Sequence, residues 1–118
     1  MAYDEYLAER VKLALSRKGV RAEAKRLMGG LCFVLNDKMC VGVSKNKKTG
    51  QSGLIARIGD SAVQNALENQ RCHTFSPAGR PMKDFIFIED QGLDQEAELD
   101  HWVELAIAFN PKAKKSRK

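Results

Sequence analysis

Residues 31–44 read LCFVLNDKMCVGVS, and this stretch decides the fold. Five apolar residues, Leu31 to Leu35, lead into Asn36 and Asp37, two residue types that tolerate a left-handed backbone, and Met39 to Ser44 then resumes with Val41 and Val43. Two short strand-forming runs around a two-residue turn predict an antiparallel β-hairpin. Such a turn sets Cys32 opposite Val41 and Cys40 opposite Phe33, so the two sulfurs fall on opposite sides of the hairpin and no disulfide joins them.

On the carboxyl side, a polar loop over residues 45–53 leads to another short strand, Leu54 to Ile58. Asp60 is placed to cap a helix over residues 61–69 that turns Ala62, Val63, Ala66 and Leu67 inward. Pro77, Gly79 and Pro81 exclude regular structure from Ser76 to Met82. The strand that follows, Phe85, Ile86, Phe87 and Ile88, is apolar at every position and therefore needs cover on both faces, by helices or by a second copy of the chain. Asp94 is expected to cap the last helix, with Glu96 and Glu98 in its first turn and Leu99, Trp102, Val103, Ala106 and Ile107 on its inner face. Trp102 is thus a core residue, and Asn110 with Pro111 ends the helix.

On the amino side, Tyr3, Leu7, Val11, Ala14 and Leu15 make one helical stripe, opened by Asp4 and Glu5 and closed by Arg17, Lys18 and Gly19. Residues 21–27 are ambiguous, since their Ala, Glu and Lys favour helix while their short length and the glycines after them favour a strand. The expected class is α+β, an antiparallel or mixed sheet of four to five strands packed with three helices in two layers, because the strands follow one another instead of alternating with helices.

At 118 residues the chain fits one domain with one core. The expected division is a domain over residues 1–110 and a disordered basic tail over 111–118. The net charge of +5 comes from that tail, whose five basic groups face no acid; without them fifteen basic residues balance fifteen acidic ones. Within the body the signs separate. Residues 10–48 hold eleven Lys or Arg against Glu23 and Asp37, whereas residues 84–104 hold eight acids and no Lys or Arg. Such segregation either makes a face for an anionic partner or lets the two segments pair with each other.

No apolar run approaches the roughly 20 residues that cross a bilayer, and the acidic start does not resemble a signal peptide. Three cysteines without a CxxC pair fit a reducing compartment, so a cytoplasmic location and no membrane partner are expected. The positions of Cys32, Cys40, Cys72, His73 and His101 show no metal-ligand spacing, and no cofactor motif is present. Cys72 and His73 point to opposite sides of an extended chain and make no dyad, so an enzyme is not expected.

Two segments carry a resemblance to a known family: Lys25 to Phe33, with the paired Gly29 and Gly30, and Gly79, Arg80, Pro81, Met82, Lys83. With the opening MAYDEYLAERV and the Arg57, Ile58, Gly59 step before a helix, they resemble the amino-terminal domain of the TfoX competence regulators. The chain departs from the family in Met28, where an aromatic is usual, and in a longer lysine-rich loop after Ser44. The resemblance makes residues 21–27 a strand. It implies a part in regulating competence genes together with a cAMP-responsive transcription activator, and in full-length regulators a second, carboxy-terminal domain follows, which 118 residues do not accommodate.

The expectation is therefore a bacterial, non-enzymatic regulatory module that binds a protein partner of the transcription machinery. Arg26, Met28, Gly29, Gly30, Arg80 and Lys83 are the candidate partner-binding residues. For Gly29 and Gly30 the competing reading is a bend or bulge entering the hairpin, and for Arg80 an ion pair with an acid from residues 84–104. The alternative function is direct nucleic-acid binding through the basic amino-terminal half and the tail. Self-association as a homodimer through Phe85, Ile86, Phe87 and Ile88 is also expected, against the view that helices cover both faces of a complete monomer.

Overall fold

A computed structural model describes residues 3–27, 30–46, 49–76 and 79–113. Its elements in chain order are α1 (Glu5–Arg17), β1 (Glu23–Leu27), β2 (Gly30–Leu35), β3 (Lys38–Lys45), β4 (Ser52–Arg57), α2 (Asp60–Ala66), β5 (Cys72–Thr74), β6 (Phe85–Glu89) and α3 (Glu96–Phe109). Short 3-10 turns follow at Asp90–Leu93 and Asn110–Lys112.

The hairpin forms as its turn residues dictate. Asn36 and Asp37 take φ of 54° and 64°, the paired left-handed conformation whose twist matches the strands that it joins. Leu35 faces Lys38 and Val34 faces Met39, but a bulge between Phe33 and Val34 then brings Phe33 opposite Val41 and Cys32 opposite Gly42. The expected facings of the two cysteines are thereby corrected by one residue, Cys40 being the extra residue of the bulge. The sulfurs still part: Cys32 joins the apolar cluster on one face, Cys40 the cluster on the other, and none of the three cysteines forms a disulfide.

Both ends of α1 are built from local chemistry. The Asp4 carboxylate accepts the Tyr6 and Leu7 amides at 2.9 and 3.2 Å. At the other end Gly19, with φ of 75°, lets its own amide and that of Val20 reach back to the Ser16 and Leu15 carbonyls. Two expected caps are corrected. Asp60 is the first residue of α2 and Gly59 its N-cap, while Asp94 closes the 3-10 turn and Gln95 precedes α3; neither N-cap offers a side-chain hydrogen bond. In α3 the acids Glu96 and Glu98 occupy the first turn, where the helix dipole favours them.

The segment with ambiguous propensity is the strand β1. The sheet is antiparallel throughout, with order β1-β2-β3-β4-β6-β5. Its six strands exceed the four to five expected because β5 is only three residues long, too short for a period-two pattern to show. All three helices pack on one face. Leu7, Val11 and Leu15 of α1, Val63 of α2 and Leu99, Trp102 and Val103 of α3 share one core with Val41, Val43, Leu54, Ile86 and Ile88.

The opposite face carries a smaller cluster of Cys32, Met39, Ile55, Phe85 and Phe87 with Phe75 beside it. Its side chains fold down onto the sheet. A Cβ on Gly42 would come within 2.9 Å of the Met39 methyl, one on Gly53 would run into the Phe87 ring, and the Arg57 guanidinium lies 5.2 Å above the centre of the Phe85 ring. Of the four residues expected at a dimer interface, Ile86 and Ile88 are thus core under the helices, and only Phe85 and Phe87 lie on the far face. Even these two are 6 % and 5 % exposed, which leaves little of either ring to bury against a second copy.

Asn110 latches α3 to the hairpin. Its side-chain oxygen accepts from the Asn36 amide nitrogen, its own amide nitrogen donates to the Leu35 carbonyl, and its main-chain carbonyl accepts from Lys38 Nζ, all at 2.9–3.0 Å. Asn110 itself is only 2 % exposed. Asn110→Ala is expected to lower stability by about 1–3 kcal/mol, since it removes the two side-chain hydrogen bonds that tie α3 to Asn36 and Leu35; urea denaturation followed by circular dichroism checks it. The packed body extends past the expected boundary at 110, because Ala113 is itself buried. The rest of the expected tail, 114–118, lies outside the described residues.

Candidate functional site

Between α1 and the edge strand β1 runs a groove of about 710 Å³. One wall is a stripe of α1 at three- and four-residue spacing: Glu5, Ala8, Glu9, Lys12, Leu15 and Ser16. The other is Ala22, Ala24 and Arg26, alternate residues of an extended segment, with Leu31 and Phe33 of β2 alongside. The groove stays open because alanines stand where larger side chains would fill the space between helix and sheet edge.

The charges divide into those paired beside the groove and those that line it, the exposed acids Glu5 and Glu9 together with the cations Lys12, Arg21 and Arg26. Arg10 and Arg17 reach Glu96 at 2.9 and 3.2 Å, Arg17 also meets Asp100 at 3.1 Å, and Lys18 meets Glu104 at 3.4 Å. Arg10 further donates to the Leu93 carbonyl at 2.6 Å. The opposed charges of the two sequence segments are therefore partly paired with each other across α1 and α3. Lys12, Arg21 and Arg26 are different: all three line the groove, are exposed, and have no ion pair among the described residues.

The family model of the TfoX N-terminal domain matches residues 14–110, most of the chain. The chain belongs to that family. No curated protein and no solved structure matches it. Within this TfoX N-terminal domain the match takes in the whole β-strand wall of the groove and the last turn of α1, while Glu5 to Lys12 precede it.

The TfoX fold does not gather the six candidate partner-binding residues into one place. Arg26 lines the groove, and Gly30, buried at the start of β2, pairs with Leu27. Arg80 and Lys83 are exposed on the segment joining β5 to β6, at the other side of the sheet. Four strand spacings separate β1 from β6, about 19 Å. Arg80 has no ion pair among the described residues, so the expected pairing with an acid from residues 84–104 does not form there. Met28 and Gly29 lie outside the described residues. The groove residues Lys12, Arg21, Ala22 and Ala24 were not among the sequence candidates; the signal that marks them is the Ala22, Ala24, Arg26 alternation, legible only once this segment is known to be a strand.

A second polar cluster sits on the β5 edge of the TfoX domain. Glu89 bonds His73 and lies 3.5 Å from Arg71, which also bonds Gln91. The hydrogen bond from His73 is the main cause that holds the Glu89 carboxyl below its ordinary value, and Arg71 adds to it. Cys72 points the other way, into the helix-side core. Burial pushes its thiol up to about 11, with the Glu89 charge adding, and pushes Cys40 up to about 12 and Cys32 upward as well. These thiols stay protonated at neutral pH and are poor nucleophiles. Among the described residues no group of His, Cys, Asp and Glu is arranged to hold a metal ion, and no helix is long and apolar enough to cross a membrane.

Proposed function

We propose that this chain is a non-enzymatic regulatory module that docks a protein partner in the groove between α1 and β1. The observation that carries the reading is the groove itself, apolar along Ala8, Leu15, Ala22, Ala24, Leu31 and Phe33, with the acids Glu5 and Glu9 along α1 and three exposed cations, Lys12, Arg21 and Arg26, that have no ion pair among the described residues. Its occupant is a partner segment that offers apolar side chains to the floor and an acidic side chain to Lys12 and Arg21. Membership of the TfoX N-terminal domain family supports a regulatory role, and the family's part in competence regulation supports a partner from the transcription machinery. The protonated thiols favour binding over covalent chemistry.

The test is selection of peptides from a displayed random library on the purified chain, followed by titration against Lys12→Glu/Arg21→Glu. Both side chains are exposed, so the variant is expected to melt like the parent. Peptides enriched in acidic and apolar residues, bound more than about tenfold more weakly by the variant, support the reading. Peptides whose affinity ignores the reversal overturn it. Duplex DNA binding with a steep salt slope, in place of peptide binding, would favour a nucleic-acid-binding module.

A further inference from the structure

β1 is an edge strand, and among the described residues nothing pairs with its outer side: no backbone hydrogen bond beyond the sheet's own pairing involves residues 21–26 there, and Arg21, Glu23, Ala24, Lys25 and Arg26 are exposed. A free edge of this kind is a template for another strand unless its side chains forbid it. Charges of a single sign would keep copies apart, but β1 carries both signs, as Glu23, Lys25 and Arg26.

Only one register sets the opposite charges of β1 against each other. Two copies that pair antiparallel about a two-fold axis must set some residue of β1 opposite itself. An axis at Glu23 opposes two glutamates, one at Lys25 two lysines, and one at Arg26 two arginines. An axis at Leu27 faces no charge with a charge, and one at Ala22 faces Arg26 with Lys18. An axis at Ala24 opposes Ala24 to itself, Glu23 to Lys25 of the second copy, and Ala22 to Arg26, with no like charges facing. Glu23 and Lys25 already lie 3.9 Å apart on one strand, so the paired edge would carry a square of alternating charges.

We propose that β1 is a dimerisation edge, at which two copies of this chain join their sheets antiparallel through the Ala24 register. The pairing also changes the groove. Ala22, Ala24 and Arg26 of both copies face the helix side, so the two grooves meet across the axis and form one trough with an α1 on either flank. The inference stands apart from the identity of any partner, since it needs only the chain itself.

Sedimentation velocity of the full chain over a concentration series at low salt tests it. The expected result is a mass that rises from 13.2 kDa toward the dimer value, with weaker association as salt is added. Lys25→Glu alone, or Glu23→Lys alone, sets like charges opposite each other twice and is expected to raise the dissociation constant more than about tenfold. The double reversal Glu23→Lys/Lys25→Glu restores the complementary order and with it the dimer. Because both side chains are exposed, unchanged melting curves separate this from misfolding. A monomer at every concentration overturns the proposal, as does a dimer indifferent to the single reversals or a double reversal that fails to restore association.

Discussion

Replacing Trp102 by alanine is expected to lower the stability of the domain by about 3–5 kcal/mol. The indole is 8 % exposed and belongs to the core that joins α3 to the sheet, beside Leu99, Val103 and Ala106 on the same helical face. Its ring also meets His101 edge-on at 5.0 Å. The neighbours in the core are held by strands that pair on both sides, so the cavity left by the indole does not collapse, and the lost transfer energy adds to the lost packing. Domains of this size have a total stability of about 5–15 kcal/mol, so the variant approaches the unfolding threshold at growth temperatures. Equilibrium denaturation in urea measures the loss. Trp102→Phe should fall well below it, and an unchanged midpoint for Trp102→Ala would show that α3 does not pack as described.

Gly30→Ala should destabilise the domain at the upper end of the 1–3 kcal/mol range for overpacking, although only one methyl is added. A Cβ on Gly30 would run into the main-chain oxygen of Val43, with the Ser44 Cβ at 3.0 Å and the Val43 carbonyl carbon at 3.2 Å. The obstacle is backbone of the interior strand β3, paired on both sides, and it cannot move aside without parting β2 from β3. The glycine is therefore required for a close approach, and its place in the family motif has a packing reason. Thermal melting measures the effect. Peptide binding measured well below the lowered transition should equal that of the parent; a variant that melts normally and loses peptide binding would make Gly30 a contact residue instead.

Legibility in the sequence followed the strength of local signals. Asp4, the apolar stripe of α1 and Gly19 define that helix without help from the rest of the chain, and Asn36 with Asp37 defines the turn of the hairpin. The expected caps at Asp60 and Asp94 failed for a shared reason: each lies close to the start of a helix, but the entry angle of the chain is set by how the helix packs. The bulge that shifts Cys32 by one residue leaves no mark in composition, because any residue of the run could have been the extra one. The candidate site was the least legible part. Arg26 was singled out, but Lys12, Arg21, Ala22 and Ala24 acquire meaning only when helix and edge strand stand side by side.

By itself, the sequence determined the α+β class, the family and the burial of Trp102, since all three rest on periodicity and on short motifs carried by neighbouring residues. Only the tertiary structure decided that the three helices share one face of the sheet, that Ile86 and Ile88 are core while Phe85 and Phe87 face away, and that β1 is left as an edge with a groove beside it. The physical reason is that alternation along a strand says which residues share a face but not which face the helices take. That choice is made by the total apolar area that α1, α2 and α3 can bury together, a sum over contacts between residues far apart in the chain.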